Sequence, residues 1–146
     1  ALQKKFIRHA PGSGAAGGLG AGLLAFTRSE ISSGIETVLK LLEFDEHLES
    51  ADLVITGEGR MDFQSAYGKV VAGVAAHCKT HQIPCFALAG SIEDGAEALY
   101  DFGISGMMPL VDRIESLDSA IRDAEKNCFR AAVRLLRIVK AGMEIR

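Results

Sequence analysis

The stretch Asp52–Lys69 carries Glu58, Arg60, Asp62, Gln64, Ser65 and Lys69 close together around Gly57 and Gly59, a density of reactive groups found nowhere else in the sequence. Two carboxylates and two cations at this spacing suit phosphoryl transfer. Asp62 or Glu58 can hold Mg²⁺ or accept the proton of a substrate hydroxyl, while Arg60 or Lys69 offsets phosphate charge. The plainer alternative is a solvated loop leading into a helix that Ser65 caps. The segment is not a Walker A loop: the spacing before Gly68-Lys69 is wrong and Val70 follows instead of Ser or Thr.

The flanking elements must hold this cluster in place. Leu53, Val54 and Ile55 read as a strand buried on both faces, which Gly57 and Gly59 break. From Ser65 to His81 the pattern is helical, with Val70, Val71, Val74, Ala75 and Cys78 facing inward. A strand, a glycine-flanked polar turn and a helix form the crevice in which open α/β sheets bind ligands.

Upstream, helices are expected over roughly Ala15–Arg28 and Ile35–Phe44, and from a cap at Asp45 through Leu48. Downstream come a strand at Pro84–Gly90 with a polar turn at Ser91–Gly95, a short helix at Ala96–Phe102 and a third strand around Ile104–Leu110. Ser116 opens the longest helix, to about Ala141, with Leu117, Ile121, Ala124, Cys128, Ala132, Leu135 and Val139 on its apolar stripe and its arginines on a solvated face. This alternation predicts an α/β fold, a Rossmann-like parallel sheet with helices on both faces. Three strands make a small sheet, so the chain reads as an incomplete portion of a larger domain. Its uncovered edges leave a route to homo-oligomers.

Gly12-Ser13-Gly14-Ala15-Ala16-Gly17 has the form G-x-G-x-x-G. Phe6–Ala10 is a poor strand and no βαβ unit surrounds the motif, which disfavours nicotinamide binding. A phosphate or carboxylate held by amides at the helix start fits the glycines, and so does tight helix packing alone. His77, Cys78, His81 and Cys85 resemble a metal set in composition only. Surface histidines at a helix C-terminus are the simpler reading, and Cys128 is expected in the core.

Several function classes drop out on composition. The formal net charge is −3 with charges of both signs interleaved, so no basic face exists for nucleic acid or an anionic membrane. Tryptophan is absent and aromatic residues are sparse, which leaves no base-stacking platform. Three cysteines, an odd number, predict reduced thiols and a soluble, cytoplasmic protein. No signal peptide is visible, and Gly12–Phe26 is too short and glycine-rich for a membrane span. The missing initiator Met suggests a processed or truncated piece.

Pro11–Gly20 (PGSGAAGGLG) followed by Ala51–Lys69 (ADLVITGEGRMDFQSAYGK) resembles the bacterial glycerate kinase family, and the likeness continues through Ile83–Gly95 and Ile104–Leu110. One departure is Ser65 where the family often has Thr, which keeps the hydroxyl. The resemblance implies ATP- and Mg²⁺-dependent phosphorylation of D-glycerate, commonly to 2-phosphoglycerate. It implies that residues 1–146 are the C-terminal portion of the kinase's α/β domain, because the family's Asp-Ser-Phe-Lys and Asp-Gly-Gly-Glu-Gly motifs have no counterpart here. The chain alone is therefore expected to be inactive. Carried over residue by residue, Glu58, Asp62, Gln64 and Lys69 match the signature, with Asp62 as base or Mg²⁺-linked acid. Glu58 and Arg60 would orient the substrate carboxylate or phosphates, and Glu58 and Lys69 join Asp62 in the catalytic set. Gly12, Ser13, Gly14, Gly17 and Gly18 of the glycine-rich loop, with Gln64 and Ser65, would face an anionic group. The competing reading is a non-catalytic sensor of a phosphorylated or hydroxy-acid metabolite.

Overall fold

The strand beside the polar cluster lies at one side of the sheet, not at its centre. In the computed structural model, which describes residues 7, 10–66 and 69–144, strands β1 (Val54–Met61), β2 (Cys85–Ile92) and β3 (Ile104–Pro109) form a parallel sheet in the order β1-β2-β3. Between them run α4 (Val70–His81) and α5 (Leu99–Phe102), and α6 (Leu117–Arg122) and α7 (Ala124–Glu144) follow β3. Earlier in the chain lie α1 (Ala15–Phe26), α2 (Gly34–Leu41) and α3 (Phe44–Leu48). The contacts divide the chain into two compact units, residues 1–37 and 38–146.

Gly57 and Gly59 do not end β1. The strand continues through them to Met61, with Gly57 opposite Leu88 and Glu58 opposite Ala89. Their value is the absence of a side chain. A Cβ on Gly57 would lie 2.9 Å from the Leu88 carbonyl oxygen, and one on Gly90 only 2.4 Å from that of Gly59. Backbone pairing with β2 satisfies the groups that the sequence pattern left to a turn.

Alternation along β2 builds two faces. Cys85, Ala87 and Ala89 are fully buried on one, where Cys85 lies close to the buried Cys78 of α4. On the other, Phe86 and Leu88 pack with Ala131, Ala132, Leu135 and Val139 of α7, joined by Met108 and Leu110. Helices on both faces of a parallel sheet are thus present. Within α4, Val71, Val74, Ala75 and Cys78 are buried as expected, but Val70 is exposed.

The expected Ser65–His81 helix is instead a 3₁₀ turn, Phe63–Ala66, followed by α4 from Val70. Tyr67 and Gly68, between them, lie outside the described residues, as do Phe6, Arg8 and His9 of the poor strand Phe6–Ala10. Ser65 caps no helix. It is buried, and its Oγ accepts a hydrogen bond from the Asp62 N–H at 3.3 Å. Side-chain bonds of this kind compete with the helical ladder.

The long C-terminal helix is also split, at Asp123, where the backbone leaves the helical region between α6 and α7. Ser116 does cap α6, its Oγ accepting from the Ser119 N–H at 3.3 Å. The break resets the helical phase. Asn127, Ala131 and Leu135 form the buried set, while Leu117, Ile121 and Cys128 are exposed, so Cys128 is not a core residue. Buried Asn127 donates from Nδ2 to Glu115 Oε1 at 3.2 Å. Burial raises the Glu115 pKa, but hydrogen bonds from Arg113, Ser119 and Asn127 and the Arg113 charge outweigh it and hold the carboxyl below its ordinary range. Arg134 donates to Asp112 and to the Pro109 carbonyl, fastening α7 to the end of β3.

The cysteines differ sharply in environment. Burial pushes the Cys78 thiol up, and burial with the adjacent Cys78 pushes Cys85 up to about 12. Thiolate is the reactive form, so one thiol of the three, Cys128, will react rapidly with an aromatic disulfide reagent in the native protein. Cys78 and Cys85 will react only on unfolding; absorbance titration with and without denaturant checks this.

Helices α3 and α4 are joined by Asp45, whose Oδ1 lies 2.6 Å from His77 Nδ1 and 3.2 Å from His81 Nε2. The bond to His77, with the charge of both rings, holds the Asp45 carboxyl below its ordinary value. A depressed folded-state pKa contributes stability that is fully present above the unfolded value, about 3.9, and lost as pH falls through the folded one. Urea midpoints of the native protein and Asp45→Asn should therefore differ most at pH 5 and converge as pH drops from 4 towards 2.

Candidate active site

The parallel register brings the carboxyl ends of β1 and β2 side by side, with Arg60 opposite Ser91 and Met61 opposite Ile92. The Glu93 N–H then donates to the Met61 carbonyl at 2.9 Å, carrying the ladder one step past the strand end. Asp62 follows β1 directly and is 6% exposed. Its Oδ1 accepts the Gln64 N–H at 2.8 Å, an Asx turn, and its Oδ2 lies 3.1 Å from Arg60 Nη2. Arg60 is well exposed, and its Nε is 3.8 Å from Glu93 Oε1.

Arg60, Asp62, Phe63, Gln64, Glu93 and Asp94 line an open cleft of about 460 Å³. One guanidinium among three carboxylates at a strand-end crevice can meet a phosphate or carboxylate while a mostly buried acid waits beside it. Phe63 lies against the turn after β2, where a Cβ on Gly95 would lie 2.9 Å from Phe63 Cβ.

Of the residues singled out in the sequence, Arg60, Asp62 and Gln64 line the cleft, and Ser65 is buried behind Asp62. Glu58 and Lys69 form a separate pair, Oε1 to Nζ 3.5 Å, and Glu58 Oε2 is buried without a hydrogen-bond partner among the described residues. Such an orphaned oxygen is uncommon in a folded protein. Gly12, Ser13, Gly14, Gly17 and Gly18 belong to the other unit. There Ala16, Gly17 and Gly18 take left-handed φ values of 50°, 66° and 94°, so the regular helical path of α1 begins only after Gly18. Among the described residues, no atom outside the adjoining backbone lies within 4 Å of a Cβ built on Gly17 or Gly18, which leaves space beside that backbone. Glu93 and Asp94, by contrast, were hidden in a polar turn; pairing of β1 with β2 is the signal that points to them.

Mg²⁺ seeks oxygen ligands and near-octahedral geometry. Asp62 Oδ2 suits it chemically only once Arg60 leaves, and among the described residues no three His, Cys, Asp or Glu side chains converge to hold a metal. An Mg²⁺ here would rest on Asp62 with phosphate oxygens and water, and would supply charge neutralisation.

The glycerate kinase family model matches residues 1–140. The chain belongs to the glycerate kinase family. Among curated members, the glycerate kinase of Halalkalibacterium halodurans is 46% identical over 88% of this chain and 34% of its own length. Glycerate 2-kinase of Escherichia coli K12 is 42% identical over 94% of this chain and 36% of its own. A crystal structure described as a glycerate kinase 2 from Salmonella typhimurium LT2 superposes with a TM-score of 0.68 at 37% identity, over 92% of this chain and 33% of that one. The chain thus spans about a third of the length of the family members it matches. No helix among the described residues is long and apolar enough to cross a membrane.

Proposed function

We propose that residues 1–146 are the C-terminal portion of the α/β domain of a soluble, cytoplasmic glycerate kinase, which transfers the γ-phosphoryl group of ATP to a hydroxyl of D-glycerate and yields 2-phosphoglycerate. The observation that carries the reading is Asp62, a mostly buried carboxylate fixed at a strand end beside the cation Arg60. Family membership supports the substrate. In this reading Asp62 takes the proton of the attacking hydroxyl, the hydroxyl oxygen bonds to the γ-phosphorus, and the bond to the β-phosphate oxygen breaks to release ADP. Arg60 meets an anionic group of substrate or nucleotide. The Glu58–Lys69 pair sets charge beside the cleft, and the glycine-rich turn at Gly12–Gly18 offers amides to an anion. Mg²⁺ accompanies the nucleotide.

The test is phosphoglycerate formation from ATP and D-glycerate, with ³¹P NMR to assign the position. The isolated 146-residue chain should give none, and a full-length family member carrying this chain should turn over. Turnover by the isolated chain would overturn the requirement for the rest of the protein. A full-length protein that binds glycerate without transferring phosphate would overturn the kinase reading.

A further inference from the structure

Arg60 has two carboxylate partners through different nitrogens, Nη2 to Asp62 at 3.1 Å and Nε to Glu93 at 3.8 Å. The partners differ in freedom. Asp62 is almost buried and tied to the Gln64 amide, whereas the Glu93 side chain is half exposed. The Glu93 main chain is nevertheless fixed beside the cleft, because its N–H donates to the Met61 carbonyl. While Arg60 remains on Asp62, Oδ1 holds the Gln64 amide and Oδ2 faces the guanidinium, whose positive charge opposes any cation brought to that oxygen.

We propose that Glu93 is a positioning residue. It draws Arg60 away from Asp62 and keeps the guanidinium over the cleft, so that an incoming phosphate is met by Arg60 while Asp62 Oδ2 is released. The proposal rests on the phosphoryl-transfer reading only in taking the anion to be a phosphate. Because Glu93 competes with that anion for Arg60, it weakens anion binding while assisting release of Asp62. Asp94 lines the same cleft and has no ion pair with Arg60, so it separates sharing of Arg60 from general negative charge.

The test titrates a full-length glycerate kinase carrying this chain with inorganic pyrophosphate, without divalent metal, following the Arg60 Nε–H resonance by ¹H–¹⁵N NMR. Pyrophosphate should shift that resonance to saturation. Glu93→Gln should shift it before any ligand is added and tighten pyrophosphate binding by about two- to fivefold, the range of an exposed ion pair. Asp94→Asn should do less than half as much, and in an Arg60→Gln background Glu93→Gln should change the dissociation constant by less than about 1.5-fold. An unshifted Arg60 resonance, an equal effect of Asp94→Asn, or an undiminished effect without Arg60 would each overturn the proposal. None of these readings needs turnover, so failure of the kinase reading appears separately, in the phosphoglycerate assay.

Discussion

Asp62→Asn in a full-length glycerate kinase carrying this chain should lower kcat for phosphoglycerate formation by about 10²- to 10⁴-fold, the usual contribution of a positioned acid–base group. The substitution is well suited to the question because it spares the local fold. An Asn carbonyl oxygen still accepts the Gln64 amide that Asp62 Oδ1 accepts now, and the Asp62 N–H still reaches Ser65 Oγ. What disappears is the charge facing Arg60 and the capacity to take a proton. Since Arg60 is 62% exposed, loss of that pair should cost about 1 kcal/mol of stability or less. Thermal unfolding would therefore move little while turnover collapses. A kcat near that of the unaltered enzyme would rule out Asp62 as the base.

Gly90→Ala should have the largest effect on stability, about 1–3 kcal/mol or more by overpacking. The new methyl would sit 2.4 Å from the Gly59 carbonyl oxygen. That oxygen belongs to a paired parallel strand and cannot swing aside like the end of a flexible side chain, so β1 and β2 must separate locally. The strain falls one residue before Arg60 and Ser91, which face each other in the register. A lower urea midpoint with an altered Arg60 environment is the expected result. An Ala variant as stable as the native chain would contradict the close approach of the strands. Gly17→Ala meets no atom of the described residues beyond its adjoining backbone, so its cost should arise from the left-handed backbone.

The existence and order of the three strands, and the first half of β1, were legible because short runs of apolar residues between turn signals have few other uses. The far half of β1 was not, because Thr-Gly-Glu-Gly-Arg has poor strand propensity and owes its extended form to pairing with β2. The cluster from Glu58 to Lys69 stood out through local density. Glu93 and Asp94 did not, since only strand register brings them to Arg60 and Asp62. The last helix misled for a similar reason. A stripe drawn straight from Leu117 to Val139 ignores the break at Asp123, and it assigned Cys128 to a place that Asn127 holds through Glu115.

The contact between Phe63 and Gly95 has a consequence for how the cleft can work. It joins the turn that carries Asp62 to the turn that carries Glu93 and Asp94, and the hydrogen bond from Glu93 to Met61 joins them again. The two walls therefore cannot close on a ligand like jaws. The main chains that carry their acids are tied together before anything binds, so little backbone ordering entropy is lost there on binding. Any movement that shuts out water must come from a part of the protein other than these two turns.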